Sequence, residues 1–126
     1  MIGYVMVGTN DLPRATQFYD SVLATLDLVR VESNERYVGY APKGAPSEIG
    51  FYVTKPYDTK PATIGNGSMF ALLAGSRGAV DQFYQTALKL GGKDEGAPGP
   101  RPADSPSYYA YARDLDGNKI CAFSAT

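Results

Sequence analysis

Histidine is absent from the 126-residue chain, and cysteine occurs once, as Cys121. Without histidine there is no Ser-His-Asp triad, no Cys-His dyad, no imidazole-ligated zinc or iron site and no histidine general base. A single cysteine excludes an intrachain disulfide and a thiolate metal cluster. Tryptophan is also missing, and no apolar run approaches the roughly 20 residues needed to span a bilayer. The formal charge is −1, with 12 Lys and Arg against 13 Asp and Glu. No long basic run offers a nucleic-acid footprint, so neither nucleic acid nor membrane is expected as a partner. The start, Met1-Ile2-Gly3-Tyr4-Val5, lacks the basic n-region and cleavage site of a signal peptide, and a soluble cytoplasmic protein is expected. Asn66-Gly67-Ser68 fits a glycosylation sequon but reads more simply as a tight turn.

What is present is aromatic: ten Tyr and five Phe. At this length one domain over 1–126 is expected, burying roughly two-thirds of its unfolded surface. Residues 4–8 form a Val-rich strand candidate. Asp11 is positioned as an N-cap with Pro13 in the first turn. Ala15, Phe18, Tyr19, Val22, Leu23 and Leu26 then mark one face of a helix. Strand candidates follow at 28–31, 36–40 and 48–53, the last two separated by Pro42, Gly44 and Pro46. Residues 54–67 read as a connector.

The pattern then restarts. Residues 69–73 are apolar, Ser76 is an N-cap candidate, and Val80, Phe83, Tyr84, Ala87 and Leu88 form a second helical face stopped by Gly91-Gly92. A Gly/Pro-rich stretch from Gly96 to Pro106 leads to strands at 108–113 and 119–124, joined by a turn at Asp116-Gly117-Asn118. A shift of 65 residues places Gln17-Phe18-Tyr19 on Gln82-Phe83-Tyr84 and Val7 on Leu72. Two copies of one strand–helix–strands unit, about 1–60 and about 65–126, account for this register. Neither small sheet is stable alone, so the copies must join.

The chain resembles the vicinal oxygen chelate superfamily, which includes glyoxalase I, bleomycin-resistance proteins, fosfomycin-resistance enzymes and extradiol dioxygenases. The resemblance runs through Val5-Met6-Val7-Gly8-Thr9-Asn10-Asp11-Leu12 with Phe18-Tyr19, then Gly65-Asn66-Gly67-Ser68-Met69-Phe70-Ala71 with Val80-Asp81-Gln82-Phe83-Tyr84. It continues through Gly96-Ala97-Pro98-Gly99-Pro100-Arg101-Pro102 to Tyr108-Tyr109-Ala110-Tyr111 and Arg113-Asp114-Leu115-Asp116-Gly117-Asn118-Lys119-Ile120. It implies an α+β fold in which two βαβββ modules form a curved, mixed eight-stranded sheet around a cavity, with the helices outside. It also implies a homodimer. In such proteins four side chains in the cavity hold a metal, and here the implied positions fall on Tyr4, Met69, Cys121 and a fourth residue near Gly50 or Glu48. Tyr, Met, Cys and Gly do not make a hard-metal site, so neither metal nor cofactor is expected. A soft copper(I) set of Tyr4, Met69 and Cys121 is the competing arrangement, against Met and Cys as ordinary apolar fillers.

Strand alternation assigns the cavity lining. Tyr4 and Met6 share one face; Met69, Ala71 and Leu73 share another; Cys121 and Phe123 point the same way. Tyr109, Tyr111 and Arg113 join them, as does Tyr52, and Arg101 sits in a Pro-rich loop at the mouth, where it could anchor an anion. The expected ligand pocket is therefore Tyr4, Met6, Tyr52, Met69, Arg101, Tyr109, Tyr111 and Cys121, suited to a small, partly aromatic or apolar molecule. Three functions compete: metal-independent binding of such a molecule; a lyase, isomerase or dioxygenase relative using an atypical metal site or Tyr/Cys chemistry; and an interaction protein with a collapsed cavity. Asp114-x-Asp116-x-Asn118 imitates the start of a calcium loop, but Lys119 and Ala125 stand where Gly and Glu are required. Asp94, Glu95 and Asp104 read as solvated loop charges.

Overall fold

The computed structural model describes residues 1–126. In chain order the elements are β1 (Val5–Gly8), α1 (Leu12–Ala24), β2 (Leu28–Ser33), β3 (Tyr37–Pro42), β4 (Phe51–Thr54), β5 (Phe70–Leu73), α2 (Arg77–Lys89), β6 (Lys93–Pro100), β7 (Tyr108–Arg113) and β8 (Lys119–Ser124). The 65-residue shift carries the bounds of β1 and α1 onto those of β5 and α2 without error. The helices start alike: the Arg14 amide donates to Asp11 Oδ1, and the Ala79 amide donates to Ser76 Oγ, each at 3.1 Å. Each cap satisfies one of the amides that a helix leaves unpaired. α1 buries Leu12, Ala15, Phe18, Tyr19, Val22 and Leu23; α2 buries Val80, Phe83 and Ala87.

Two βαβββ modules are present and the class is α+β. The eight strands divide into two four-stranded sheets, ordered β1-β4-β3-β2 and β5-β8-β7-β6, instead of running as one hydrogen-bonded sheet. In each, the first and last strands pair in parallel and the remaining neighbours antiparallel. The edge strands β1 and β5 belong to different sheets, yet Met6, Val7 and Gly8 line one cleft with Met69 and Phe70. Core residues from both modules, Val7, Phe18, Tyr19 and Phe51 with Val80, Phe83, Ala110 and Ile120, form one buried cluster.

Two sequence expectations need correction. The strand expected over 48–53 begins at Phe51; Glu48 lies in the preceding loop, where its amide donates to the Ala45 carbonyl at 2.9 Å. It therefore shares no strand face with Gly50. The Gly/Pro-rich stretch read as loop from Gly96 contains most of β6. Pro98 and Pro100 are tolerated there because β6 is an edge strand with irregular register on either side of Gly96.

The modules are fastened through the β7–β8 turn. Asp114 is 5 % exposed and accepts four donors. Tyr19 Oη donates to its Oδ2 at 2.6 Å and Asn118 Nδ2 to the same atom at 2.9 Å. The amides of Asp116 and Asn118 donate to Oδ1 at 2.9 and 2.8 Å. Asn118 Nδ2 also donates to the Gly8 carbonyl at 2.8 Å, and the Asn10 amide to Asp116 Oδ1 at 2.9 Å. The carboxylates that imitate a calcium loop are thus spent on joining the two halves. Burial raises the Asp114 pKa above the ordinary carboxylate value, while the bonds from Tyr19 and Asn118 pull against the rise. The folded carboxyl holds its proton more tightly than the unfolded one, so this residue's contribution to stability falls as pH rises through the raised value. Tyr19→Phe removes one charge-assisted bond and should lower stability by about 1.5–3 kcal/mol in urea unfolding. Carbon-detected NMR titration should place the Asp114 midpoint higher in the variant; a stability loss below about 0.5 kcal/mol would remove this bond from the junction.

Candidate functional site

The face of each sheet turned away from the helices carries the expected pocket residues. On the first sheet Met6 pairs with Tyr52, and Tyr52 with Gly39. Tyr4 meets Tyr52 edge-to-face at 5.2 Å between centroids, and Tyr37 meets it at 5.5 Å. Tyr4, Met6, Tyr37 and Tyr52 enclose a cleft of about 230 Å³. A Cβ on Gly39 would come within 2.9 Å of the Tyr52 ring, so glycine is what lets that ring lie across β3. Desolvation and the nearby Glu32 charge raise the Tyr52 pKa, keeping it a neutral hydrogen-bonding phenol.

On the second sheet Tyr111 pairs with Cys121 and Tyr109 with Phe123. Tyr109 and Phe123 stack at 5.3 Å, and Tyr109 and Tyr111 stack with nearly parallel planes at 6.1 Å. The Arg101 guanidinium lies 5.2 Å from the Tyr111 centroid, and Lys119 Nζ lies 5.6 Å from it. Arg113 differs: its Nε donates to Glu95 Oε1 at 2.6 Å, which makes it an ion-paired residue. That bond and the Arg113 charge lower the Glu95 pKa. Cys121 is fully buried, so it forms the floor of this face and presents no sulfur to solvent. Burial pushes its thiol up to about 11.

The pocket residues therefore fall into two groups, Tyr4, Met6 and Tyr52 on one sheet and Arg101, Tyr109, Tyr111 and Cys121 on the other. Met69, 39 % exposed, meets Met6 in the cleft of about 200 Å³ between the sheet edges. Tyr37 and Lys119 were missing from the expected set. Period-two alternation carries the signal for both: Tyr37 shares a face with Gly39, and Lys119 with Cys121 and Phe123. Glu48 lies elsewhere, in a cleft of about 440 Å³ with Leu26, Tyr40, Phe51 and Leu72.

The strand registers also locate the fourth metal-ligand position. Met6 stands opposite Tyr52 as Ala71 stands opposite Cys121. Since Ala71 repeats Met6, Tyr52 repeats Cys121, and the fourth position that the resemblance implies near Gly50 falls by register on Tyr52, two residues on. The four positions hold two phenols, a thioether and a buried thiol. No group of three or more His, Cys, Asp or Glu side chains is placed to hold a metal anywhere in the chain. This donor set does not fit the hard divalent ion of the fold family.

Two βαβββ modules with matching registers define a paired-module α+β protein. The family model for the Glyoxalase/Bleomycin resistance protein/Dioxygenase superfamily matches residues 1–122, and the chain belongs to that superfamily. Its structure is similar to a glyoxalase/bleomycin resistance protein from Albidiferax ferrireducens T118, at 39 % identity, 97 % coverage of this chain, 96 % of the other and a TM-score of 0.85. It also resembles in fold a lactoylglutathione lyase from Agrobacterium tumefaciens, at 20 % identity, covering 98 % and 92 % of the two chains with a TM-score of 0.68. A hypothetical protein, SA1046, from S. aureus aligns at 19 % identity over 96 % and 91 %, with a TM-score of 0.71. No curated protein matches the chain. No helix is long and apolar enough to cross a membrane.

With its pKa raised to about 11, Cys121 should carry roughly 100-fold less thiolate at neutral pH than an ordinary thiol. Its reaction with a disulfide reagent should be slow in the native protein and rapid in denaturant. Comparable rates in both would show that the thiol is accessible.

Proposed function

We propose that this protein binds a small, partly aromatic or apolar molecule on the open sheet faces without using a metal. One observation carries the reading: Tyr4, Tyr52, Met69 and Cys121 occupy the four ligand-equivalent positions, and none is a carboxylate or an imidazole. Around them the lining is phenolic and apolar, with polar groups confined to hydroxyls and a few cations. Such a surface recognises shape and π-character and fixes orientation through one or two polar contacts. Catalysis by Cys121 is disfavoured by its burial and its protonated thiol.

A second copy of the chain is the proposed protein partner. Tyr4, Met6, Met69 and Leu73 are large, exposed side chains near the free edges of β1 and β5, and Leu73 is 70 % exposed. Apolar surface of this kind is normally covered in a homodimer. Sedimentation at micromolar concentration should give twice the chain mass, and a monomeric mass would count against the pairing.

Elemental analysis of tag-free protein purified without chelators tests the metal-free reading. Absence of stoichiometric metal is the expected result, followed by stabilisation by aromatic compounds in a thermal-shift screen. A stoichiometric divalent metal would overturn the reading. Substituting Tyr4→His, Met69→His, Tyr52→Glu and Cys121→Glu together should create divalent-metal affinity, provided circular dichroism shows the fold retained. A folded variant with no gain would mean the four positions are misassigned.

A further inference from the structure

We infer that the second sheet's open face selects a flat aromatic molecule carrying an anionic group. This rests on the metal-free pocket reading above and names its ligand class. The argument begins with Tyr111. Arg101 and Lys119 both lie against its ring, with cation-to-centroid distances of 5.2 and 5.6 Å. The structure contains two salt bridges, Arg30–Asp20 and Arg113–Glu95, and neither involves these two cations. Glu95, the neighbouring carboxylate, is ion-paired with Arg113 at 2.6 Å and feels the Lys119 charge without a salt bridge to it. The Arg101 guanidinium makes one hydrogen bond, from Nη2 to the Ala97 carbonyl at 3.1 Å, which leaves most of its donors free.

Two unpaired cations on one sheet face would ordinarily repel each other and point away into water. Here the backbone holds one of them in place. A Cβ on Gly96 would meet the Tyr111 ring at 2.8 Å and Arg101 Nη2 at 3.0 Å. The missing side chain is the space that Arg101 and Tyr111 occupy. Beside them Tyr109 and Phe123 stack with only 14° between their planes. The first sheet differs, for Tyr4 and Tyr37 stand edge-on to Tyr52 at 74° and 80°. The parallel rings stack on one another, so a further aromatic ring can extend the stack, and the two cations set its polar end. A carboxylate is the matching charge, since guanidinium and ammonium both bind it in charge-assisted hydrogen bonds.

The test is a titration of ¹⁵N-labelled protein with 1-naphthoate, and separately with its neutral analogue 1-naphthamide, read by amide shifts. Naphthoate should shift the amides of Tyr109, Tyr111 and Phe123 and bind about tenfold more tightly than naphthamide. Arg101→Met and Lys119→Met retain the side-chain stems. Each should weaken naphthoate about tenfold and leave naphthamide unchanged. Equal affinity for the two probes, or no effect of either substitution, would overturn the anionic class while leaving an aromatic pocket standing. Shifts confined to Tyr4, Tyr37 and Tyr52 would overturn the placement on the second sheet. Failure of both probes to shift any open-face amide would overturn this inference and the aromatic-ligand reading together. The outcome of elemental analysis bears on the metal-free reading alone and is independent of these results.

Discussion

One carboxylate ties the two halves of this molecule together. Asp114 is buried, and its two oxygens take four donors from α1 and from its own turn. A buried charge without partners would be costly, so the turn, the Tyr19 hydroxyl and the Asn118 amide have to be in place together. No buried polar side-chain atom in the structure lacks a partner. Through Asn118 and the Gly8 carbonyl, the same cluster sets where β1 stands relative to β8. The position of the open faces follows from that contact.

The repeat makes the asymmetry of this device visible. Pairing of Tyr40 with Phe51 and of Ala112 with Ile120 puts Pro42 at the repeat position of Asp114. Proline has neither a carboxylate nor an amide to offer. Tyr84, the counterpart of Tyr19, has no such carboxylate from the other module; desolvation and the nearby Asp94 raise its pKa. At that junction the structure has a cleft lined by Pro42, Gly50, Leu72 and Leu73, and no carboxylate bridges the modules there. The repeat sets up two corresponding junctions, and only one carries the carboxylate lock.

Much of this was legible in the sequence because short-range chemistry governs it. Asp11 and Ser76 cap their helices as their residue types predict, and the Phe-Tyr pairs at 18–19 and 83–84 fix the register of the repeat. The last two strands have the expected bounds, Tyr108–Arg113 and Lys119–Ser124. β6 was hidden because its Gly and Pro residues carry loop propensity, and only its place at a sheet edge makes them acceptable. Tyr52 as the counterpart of Cys121 was hidden by unequal loops between the strands, which break the 65-residue spacing after the helices. The pairing of Tyr19 with Asp114 spans 95 residues, and no local pattern signals it. Which residues share the open faces was legible in strand alternation; their division between two sheets, and the cations on Tyr111, depend on long-range packing.

The two junctions of the repeat are therefore unlike. One is closed by the Asp114 cluster and the Gly8–Asn118 bond. The other holds an open cleft beside Leu73 and the β3–β4 loop. A near-symmetric repeat thus builds a molecule with one sealed seam and one open seam, and its two modules are not interchangeable.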